Sequence, residues 1–342
     1  MVINQEHGKR WTMYNGDSCQ VVKDIPSDSI GLTMFSPPFS SLYIYSDSEA
    51  DMGNCKDDEE FFQHFSFLLP ELYRITIPGR LCAIHCKDLP LYRGSDGAAG
   101  LTDFPGQIIV AMQKAGWTFH SRCTVWKCPV TERERTNNSG LLHKSVMSDS
   151  SQIRMGMADY VIVFRKSPIG DDNRSDWPIE RPKGFTRFVG DPAQDPRKSD
   201  SHPSKFSRKG IGLEQGTAGE IVDRSNIVIW RRYAEPVWWD IDQTDVLNFK
   251  IAKDAEDEKH ICPLQLGLIR RIVELWSAPG DVVFSPFGGV GSEGVVAIEE
   301  GRKYIGIELK ESYWRYAVRY LKDAEYAGEG QMGMFEEACY AE

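Results

Sequence analysis

The chain has 342 residues, about two-fifths of them apolar, which is enough for one large core with an insertion or for two domains. Its formal net charge of −10 argues against a protein that coats nucleic acid over its whole surface, and leaves room for a local basic face. There is no basic-then-apolar N-terminal segment and no apolar run near the roughly eighteen residues of a membrane span, so the expectation is a cytoplasmic protein with no membrane association.

From Trp11 to Cys19 the text reads as a short strand followed by the turn Asn15-Gly16-Asp17, which leaves Asp17 exposed at a strand's end, either as a helix cap or as a ligand for a hydroxyl or amine. Ile30 to Phe35 is a β-prone run entered through Pro26-Ser27-Asp28-Ser29 and stopped by Ser36-Pro37-Pro38-Phe39. Two successive prolines remove two amide hydrogens and stiffen the segment, so its carbonyls are offered to something other than a strand ladder. With the Ser36 hydroxyl before them and the Phe39 ring after them, they suit a flat group bearing an amine, such as a nucleobase. A plain turn with Phe39 in the core accounts for the same four residues.

Leu42 to Asn54 reads as a tyrosine-bearing loop, and Asp57-Asp58-Glu59 opens a helix with Phe61, Phe65, Leu68, Leu69 and Leu72 on one face, stopped by Pro78-Gly79. Arg80 to Cys86 follows as a buried strand, completing one αβ unit of a parallel sheet. A helix over about Phe104 to Ala115, closed by Gly116, leads to strands Trp117 to Lys127 and Asp159 to Arg165. The polar connection between those strands carries Arg133, Arg135, His143, Lys144 and Arg154, a candidate DNA contact or a solvated loop.

From about 166 to 232 the sequence turns to proline, glycine and basic residues, with fourteen Lys and Arg against ten Asp and Glu over 165–232. This is read as an insertion suited to phosphate and groove contacts, with a disordered linker as the alternative. Strand-like text returns at Ile227 to Trp230 and Val237 to Trp239. His260-Ile-Cys-Pro263 then opens a helix with Leu266, Ile269, Ile272, Val273 and Trp276 on one face. Eight scattered cysteines point to reduced thiols. The spacing of Cys82, His85, Cys86, His120, Cys123 and Cys128 fits no common zinc motif, so no metal is expected.

Asp281 to Ser285 reads as a buried strand, Pro286-Phe287-Gly288-Gly289-Val290-Gly291-Ser292 as a glycine turn into a helix, and Tyr304 to Ile307 as the next strand, with Glu308 at its end. Such a unit holds a nucleoside cofactor, with backbone close to the ligand and the acid on the ribose hydroxyls. Gly289, Gly291 and Gly294 also satisfy the dinucleotide pattern, so a nicotinamide oxidoreductase is weighed; no second nucleotide-binding half follows in this sequence.

In order, these motifs, with Gly301-Arg302 and Tyr313, resemble those of the DNA amino-methyltransferases of the N4-cytosine/N6-adenine family, in the β arrangement where the catalytic motif precedes the cofactor motif. The resemblance covers most of the chain. It departs at Ser285, where the family usually has Asp, and at Gly289-Val-Gly-Ser, where it often has Gly-Ser-Gly-Thr. It implies a doubly wound, mostly parallel seven-stranded Rossmann-like α/β sheet with an antiparallel edge strand. The catalytic half would be 1–165, a target-recognition insertion 166–232, the cofactor half 233–325 and a loose acidic tail 326–342.

The cofactor implied is S-adenosyl-L-methionine, held by Ser285, Pro286, Phe287, Gly288, Gly289, Gly291 and Ser292. Glu308 would bind its ribose, Asp17 its adenosine region, and His260 and Pro263 its methionine part. Ser36 and the Pro37 carbonyl would accept from the target amine, and Phe39 would stack on the flipped base. The partner implied is double-stranded DNA; a homodimer and a restriction partner stay open. A serine at the first catalytic position favours N4 of cytosine over N6 of adenine. RNA or protein amide methylation, and a non-catalytic DNA binder, are the more remote alternatives.

Overall fold

The structure is a computed structural model that describes residues 2–38, 52–91, 97, 100–136, 139–167, 232–248 and 263–339. The Phe39 ring, most of the tyrosine-bearing loop, His260 and nearly all of the basic insertion lie outside those residues. So does the strand expected at Ile227 to Trp230.

In chain order, β1 (Val2–His7) and β2 (Trp11–Gly16) form an antiparallel hairpin, followed by short α1 (Ser18–Val21) and β3 (Ile30–Phe35). Next come α2 (Asp58–Ile75), β4 (Thr76–Lys87), the small hairpin β5 (Leu89–Leu91) and β6 (Gly100–Thr102), α3 (Phe104–Lys114) and β7 (Thr118–Val125). The connection expected to be a loop contains α4 (Pro129–Thr136) and α5 (His143–Ser148), and β8 (Asp159–Arg165) follows. The remainder is β9 (Val237–Trp238), α6 (Leu266–Trp276), β10 (Val282–Ser285), α7 (Ser292–Glu299), β11 (Lys303–Glu308) and α8 (Glu311–Cys339).

The main sheet has nine strands in the order β1-β2-β11-β10-β3-β4-β8-β7-β9. The expected seven are β2, β11, β10, β3, β4, β8 and β7, and β1 and β9 extend them at the two edges. From β2 to β4 every neighbour is parallel. The antiparallel strand is not simply at an edge: β8 runs against both β4 and β7 inside the sheet, and β1 is a second reversed strand at the rim. Every residue of β3 is buried, as a central parallel strand covered on both faces requires.

Helices α2 and α3 cover one face through Phe61, Phe65, Leu72, Phe104 and Ile108. The other face is covered by α6, α7 and α8 through Ile269, Ile272, Val296, Ala317 and Leu321. Asp57 caps α2, accepting from the Glu60 amide at 3.0 Å, while the Glu60 carboxylate accepts from the Lys56 amide at 2.6 Å.

Pro78-Gly79, expected to separate helix from strand, instead lies within β4. The strand starts at Thr76, whose hydroxyl donates to the Leu72 carbonyl at 2.7 Å, and the register against β3 slips between Ile30 and Leu32 to absorb the extra residues as a bulge. Gly79 takes φ of 82° there. Deep between the two sequence halves, Arg80 of β4 pairs with Asp281 before β10 at 2.9 Å. β3 passes this pair at Gly31, where a Cβ would come within 2.7 Å of the Asp281 side chain.

The segment expected to be a loose tail after Glu325 continues α8 as helix to Cys339. Among the described residues, no helix is long and apolar enough to cross a membrane.

Candidate active site

The parallel strands β2, β11, β10, β3 and β4 all end on one edge of the sheet, and the antiparallel β8 begins there. The winding reverses between β10 and β3. From β10 the chain passes through α7 to β11 on one side, and from β3 through α2 to β4 on the other. Open α/β sheets hold ligands at such a reversal because the two loops part and leave a crevice. Ser36-Pro37-Pro38 leaves β3 on one side of it, and Pro286-Phe287-Gly288-Gly289 leaves β10 on the other. The two are joined at the base, where the Phe35 and Phe287 rings lie 5.6 Å apart. The Ser18 hydroxyl also donates to the Pro286 carbonyl.

On the β10 side the loop is held by its own backbone. The Gly288 amide donates to the Ile307 carbonyl at 2.7 Å and the Gly291 amide to the Gly288 carbonyl at 2.8 Å. Gly289 and Gly291 take φ of 51° and 90°, a region that side-chain-bearing residues avoid. A Cβ on Gly289 would meet nothing within 4 Å, so this part of the loop borders open space.

Glu308, at the end of β11, accepts from the Gly289 amide and the Lys310 amide, both at 2.8 Å. Asp17 follows the end of β2, the neighbouring strand, and accepts from the Cys19 amide at 2.9 Å as the cap of α1. Asn15, which the sequence reading did not single out, ties the two strands together. It is fully buried and donates to the Glu308 and Leu309 carbonyls at 2.9 Å.

Ser285 and Ser292 are buried beneath the loop. Buried with them is Glu293, whose carboxyl is pushed up to about 8 by burial, with the charge of Glu308 adding to the effect. Pro263 is half-buried just before α6, the helix that leads into β10.

On the β3 side, Pro37 is buried and Ser36 half-buried. The Ser36 hydroxyl lies 2.7 Å from Nδ1 of His85, and Nε2 of that ring lies 3.0 Å from Oδ2 of Asp159. The Lys127 ammonium reaches the same oxygen at 2.7 Å. Burial alone would raise the Asp159 carboxyl, but the hydrogen bond from His85 and the Lys127 ammonium outweigh it and hold the group well below the usual carboxylate range.

Sequence reasoning considered His85 only as a metal ligand and missed Asp159 and Lys127. The available signal was a histidine inside the otherwise apolar run Leu81 to Cys86, and an acid opening the apolar run Tyr160 to Phe164. Among the described residues no group of three His, Cys, Asp or Glu is arranged to hold a metal. Burial pushes the Cys82 and Cys86 thiols up, away from thiolate. Beside Asp159 an open cleft of about 490 Å³ is lined by Asp88, Leu101, Arg154, Met155, Met157 and Tyr160.

Comparison with known proteins agrees with this architecture. In local sequence the chain is 41% identical over 71 residues to the DNA adenine methyltransferase YhdJ of Escherichia coli K12, covering 21% of this chain and 24% of that protein. It is also 41% identical over 63 residues to the type II methyltransferase M.Cfr9I of Citrobacter freundii, covering 18% and 21%. These matches span about a quarter of the relatives' length.

The fold extends much further than the sequence identity. The cytosine-N4-specific PvuII DNA methyltransferase superposes with a TM-score of 0.58 at 16% identity, over 95% of both chains. TTHA0409 of Thermus thermophilus, solved with S-adenosyl-L-methionine, gives 0.56 at 19% identity over 92% of this chain and 96% of its own. Both likenesses are to the Rossmann-like fold of S-adenosylmethionine-dependent methyltransferases. The DNA methylase family matches residues 30–319, from the first residue of β3 into α8 and so across both sides of the crevice; the chain belongs to the N6/N4 DNA methylase family.

Proposed function

We propose that this protein transfers a methyl group from S-adenosyl-L-methionine to the exocyclic amine of a base flipped out of double-stranded DNA, with N4 of cytosine as the favoured acceptor. The observation that carries the reading is the meeting of Ser36-Pro37-Pro38 and the Pro286–Ser292 loop across one crevice at the sheet reversal.

The residues present fit the cofactor. The glycine loop borders open space at Gly289, and Glu308 is fixed by two amides at the end of the adjoining strand, where a ribose carboxylate partner is needed. Gly288, Gly289 and Gly291 would carry the backbone approach, Glu308 the ribose, Asp17 the adenosine region, and Pro263 with His260 the methionine part. When bound, the cofactor supplies an electrophilic methyl group on a sulfonium.

An exocyclic amine is a weak nucleophile because its lone pair is delocalised into the ring. Accepting its N–H hydrogens turns the nitrogen toward tetrahedral geometry and frees that pair. Two prolines in succession offer carbonyl acceptors and no amide donors, so the Pro37 carbonyl and the Ser36 hydroxyl select an edge that carries N–H groups. Phe39 would stack on the flipped base. The helical connection between β7 and β8, with Arg133, Lys144 and Arg154, rises from the same end of the sheet and is assigned to the DNA backbone. Target choice is assigned to the basic segment 166–232.

The neutral serine, where an acid would suit adenine, favours cytosine, as does the specificity of the PvuII enzyme. The adenine specificity of YhdJ makes N6 methylation the second reading. Incubation with isotope-labelled S-adenosylmethionine and mixed-sequence duplex DNA, followed by nucleoside digestion and mass spectrometry, tests both. N4-methylcytosine is expected, and N6-methyladenine would overturn the assignment of the base. No methylated nucleoside in any DNA, despite cofactor binding, would overturn the DNA reading altogether.

A further inference from the structure

We infer that His85 and Asp159 form a proton relay behind Ser36, which keeps the serine oxygen a pure acceptor toward the target amine and takes up the proton that methyl transfer releases. The inference rests on the amine-methylation reading and adds two residues to it.

With the His85 ring neutral at rest, the geometry sets the direction of each hydrogen bond. Asp159 is ionised, held so by His85 and by Lys127, and an ionised carboxylate only accepts. The hydrogen between Asp159 and His85, 3.0 Å apart, therefore belongs to Nε2 of the ring. A neutral ring protonated at Nε2 has its lone pair on Nδ1, which lies 2.7 Å from the Ser36 oxygen. The serine hydroxyl must then donate to His85, and its hydrogen is turned away from the crevice. What Ser36 presents to a substrate is lone pairs alone. A rotating hydroxyl would accept from an amine and donate to a ring nitrogen with equal ease; this one is biased toward the amine.

The same arrangement accounts for the proton. As the nitrogen–methyl bond forms and the methyl–sulfur bond breaks, the electron pair stays on sulfur and the nitrogen becomes cationic with one hydrogen too many. That hydrogen passes to the Ser36 oxygen while the serine's own hydrogen passes to Nδ1. The serine ends neutral, the amine ends neutral, and the ring ends as an imidazolium against the Asp159 carboxylate. Release of the Nδ1 proton to solvent resets the relay. The relevant groups come from three elements: Ser36 from the end of β3, His85 from β4 and Asp159 from β8, with Lys127 following β7 to fix the carboxylate. The ring and the acid are both nine-tenths buried, so the pair is not one of the solvated ion pairs common at surfaces.

Two measurements test the relay. Long-range ¹H–¹⁵N correlation spectra of histidine-labelled wild-type protein read the tautomer without any catalysis. His85 protonated at Nε2 and bare at Nδ1 is expected, and the opposite tautomer or a ring protonated on both nitrogens would overturn the relay. Kinetically, His85→Ala should lose about a hundredfold or more in the methyl-transfer rate, with cofactor affinity within about twofold of wild type.

Added imidazole should restore about tenfold of that loss, whereas 1,2,4-triazole, of the same shape but a far weaker base, should not. Equal rescue by both would mean the ring only fills space and would sink the relay. Asp159→Asn should lose rate without rescue by either base, and it serves as the second variant if the alanine protein does not fold. An inactive wild-type protein on every DNA would bring down the methylation reading and the relay together, while an active one with shape-dependent rescue would bring down the relay alone.

Discussion

Replacing Glu293 by Gln tests whether the glycine-loop side of the crevice carries a buried neutral acid. Glu293 stands in the first turn of α7, where a helix N-terminus normally favours an anion. Here burial overrides that preference: the residue is 6% exposed, and its carboxyl is pushed up to about 8 from an ordinary 4.5 by burial and then by Glu308. The folded protein thus keeps a proton on Glu293 up to about pH 8, while the unfolded chain gives it up near pH 4.5.

Between those values the folded state binds more protons, so this group makes stability fall as pH rises and leaves it level above about pH 8. At about 1.4 kcal/mol per unit, rounded off near the two pKa values, the fall from pH 5 to pH 8 amounts to about 3.5 kcal/mol. Glutamine is a neutral isostere and carries none of it. Urea unfolding of both proteins across this range should show the variant gaining about 3.5 kcal/mol on the wild type between pH 5 and pH 8. Taking the difference cancels every other titrating group to first order. A gap that stays constant with pH would show that Glu293 ionises like an exposed acid, and would refute the buried-acid account.

Glu308→Gln should weaken S-adenosylmethionine binding by about tenfold or more, since a hydrogen bond to a charged acceptor contributes about 1.5–3 kcal/mol; titration calorimetry measures it, and unchanged affinity would remove Glu308 from the cofactor site. Gly291→Ala places a Cβ at φ of 90° and 3.1 Å from the Ala317 backbone, so thermal melting should register a loss of about 1–3 kcal/mol. Asp281→Ala leaves Arg80 buried and uncompensated between the two halves of the sheet. A loss of about 3–5 kcal/mol in urea unfolding is expected, and one below about 1 kcal/mol would deny the pair its role.

Much of the fold was legible because its central strands are apolar runs with abrupt ends. Ile30 to Phe35, Asp159 to Arg165 and the end of β11 at Glu308 were read as they lie. The elements that escaped are those whose stability comes from elsewhere in the chain. β1 is polar and largely exposed, so it carries no alternating apolar signal, and it is a strand because it pairs with β2. β9, by contrast, was read within Val237 to Trp239, although it has only two residues and exists through its pairing with β7. Pro78-Gly79 reads locally as a break, yet β4 continues through it: the Gly79 amide donates to the Lys166 carbonyl at 2.9 Å, and the ladder with β3 resumes at Leu81. The glycines after Glu325 suggested a loose tail, but the helix formers around them let α8 continue.

In the site, the motifs that follow from local chemistry stood out, namely the two prolines, the glycine loop and the acid after β11. The relay did not, because His85 and Asp159 are 74 residues apart, and only the antiparallel register of β4 and β8, which pairs Asp159 with Lys87, brings them together as diagonal neighbours. Asp17 shows the reverse limit: its cap bond was anticipated, while the burial of Asn15 beside it was not.

The pairing of β2 with β11 joins residues 11–15 to residues 304–308, nearly the length of the chain apart. Asp17 and Glu308, the two acids assigned to the cofactor, hang from those strands, so the proposed nucleoside side of the crevice is assembled from segments far apart in the sequence. A ribosome must deliver β11 before that side can close, and a contact of such sequence separation forms late and slowly. The cofactor would then recognise only the finished sheet. Its stabilisation should therefore move the unfolding of the whole sheet as one transition, making a ligand-induced melting shift a report on global assembly rather than on the rigidity of one loop.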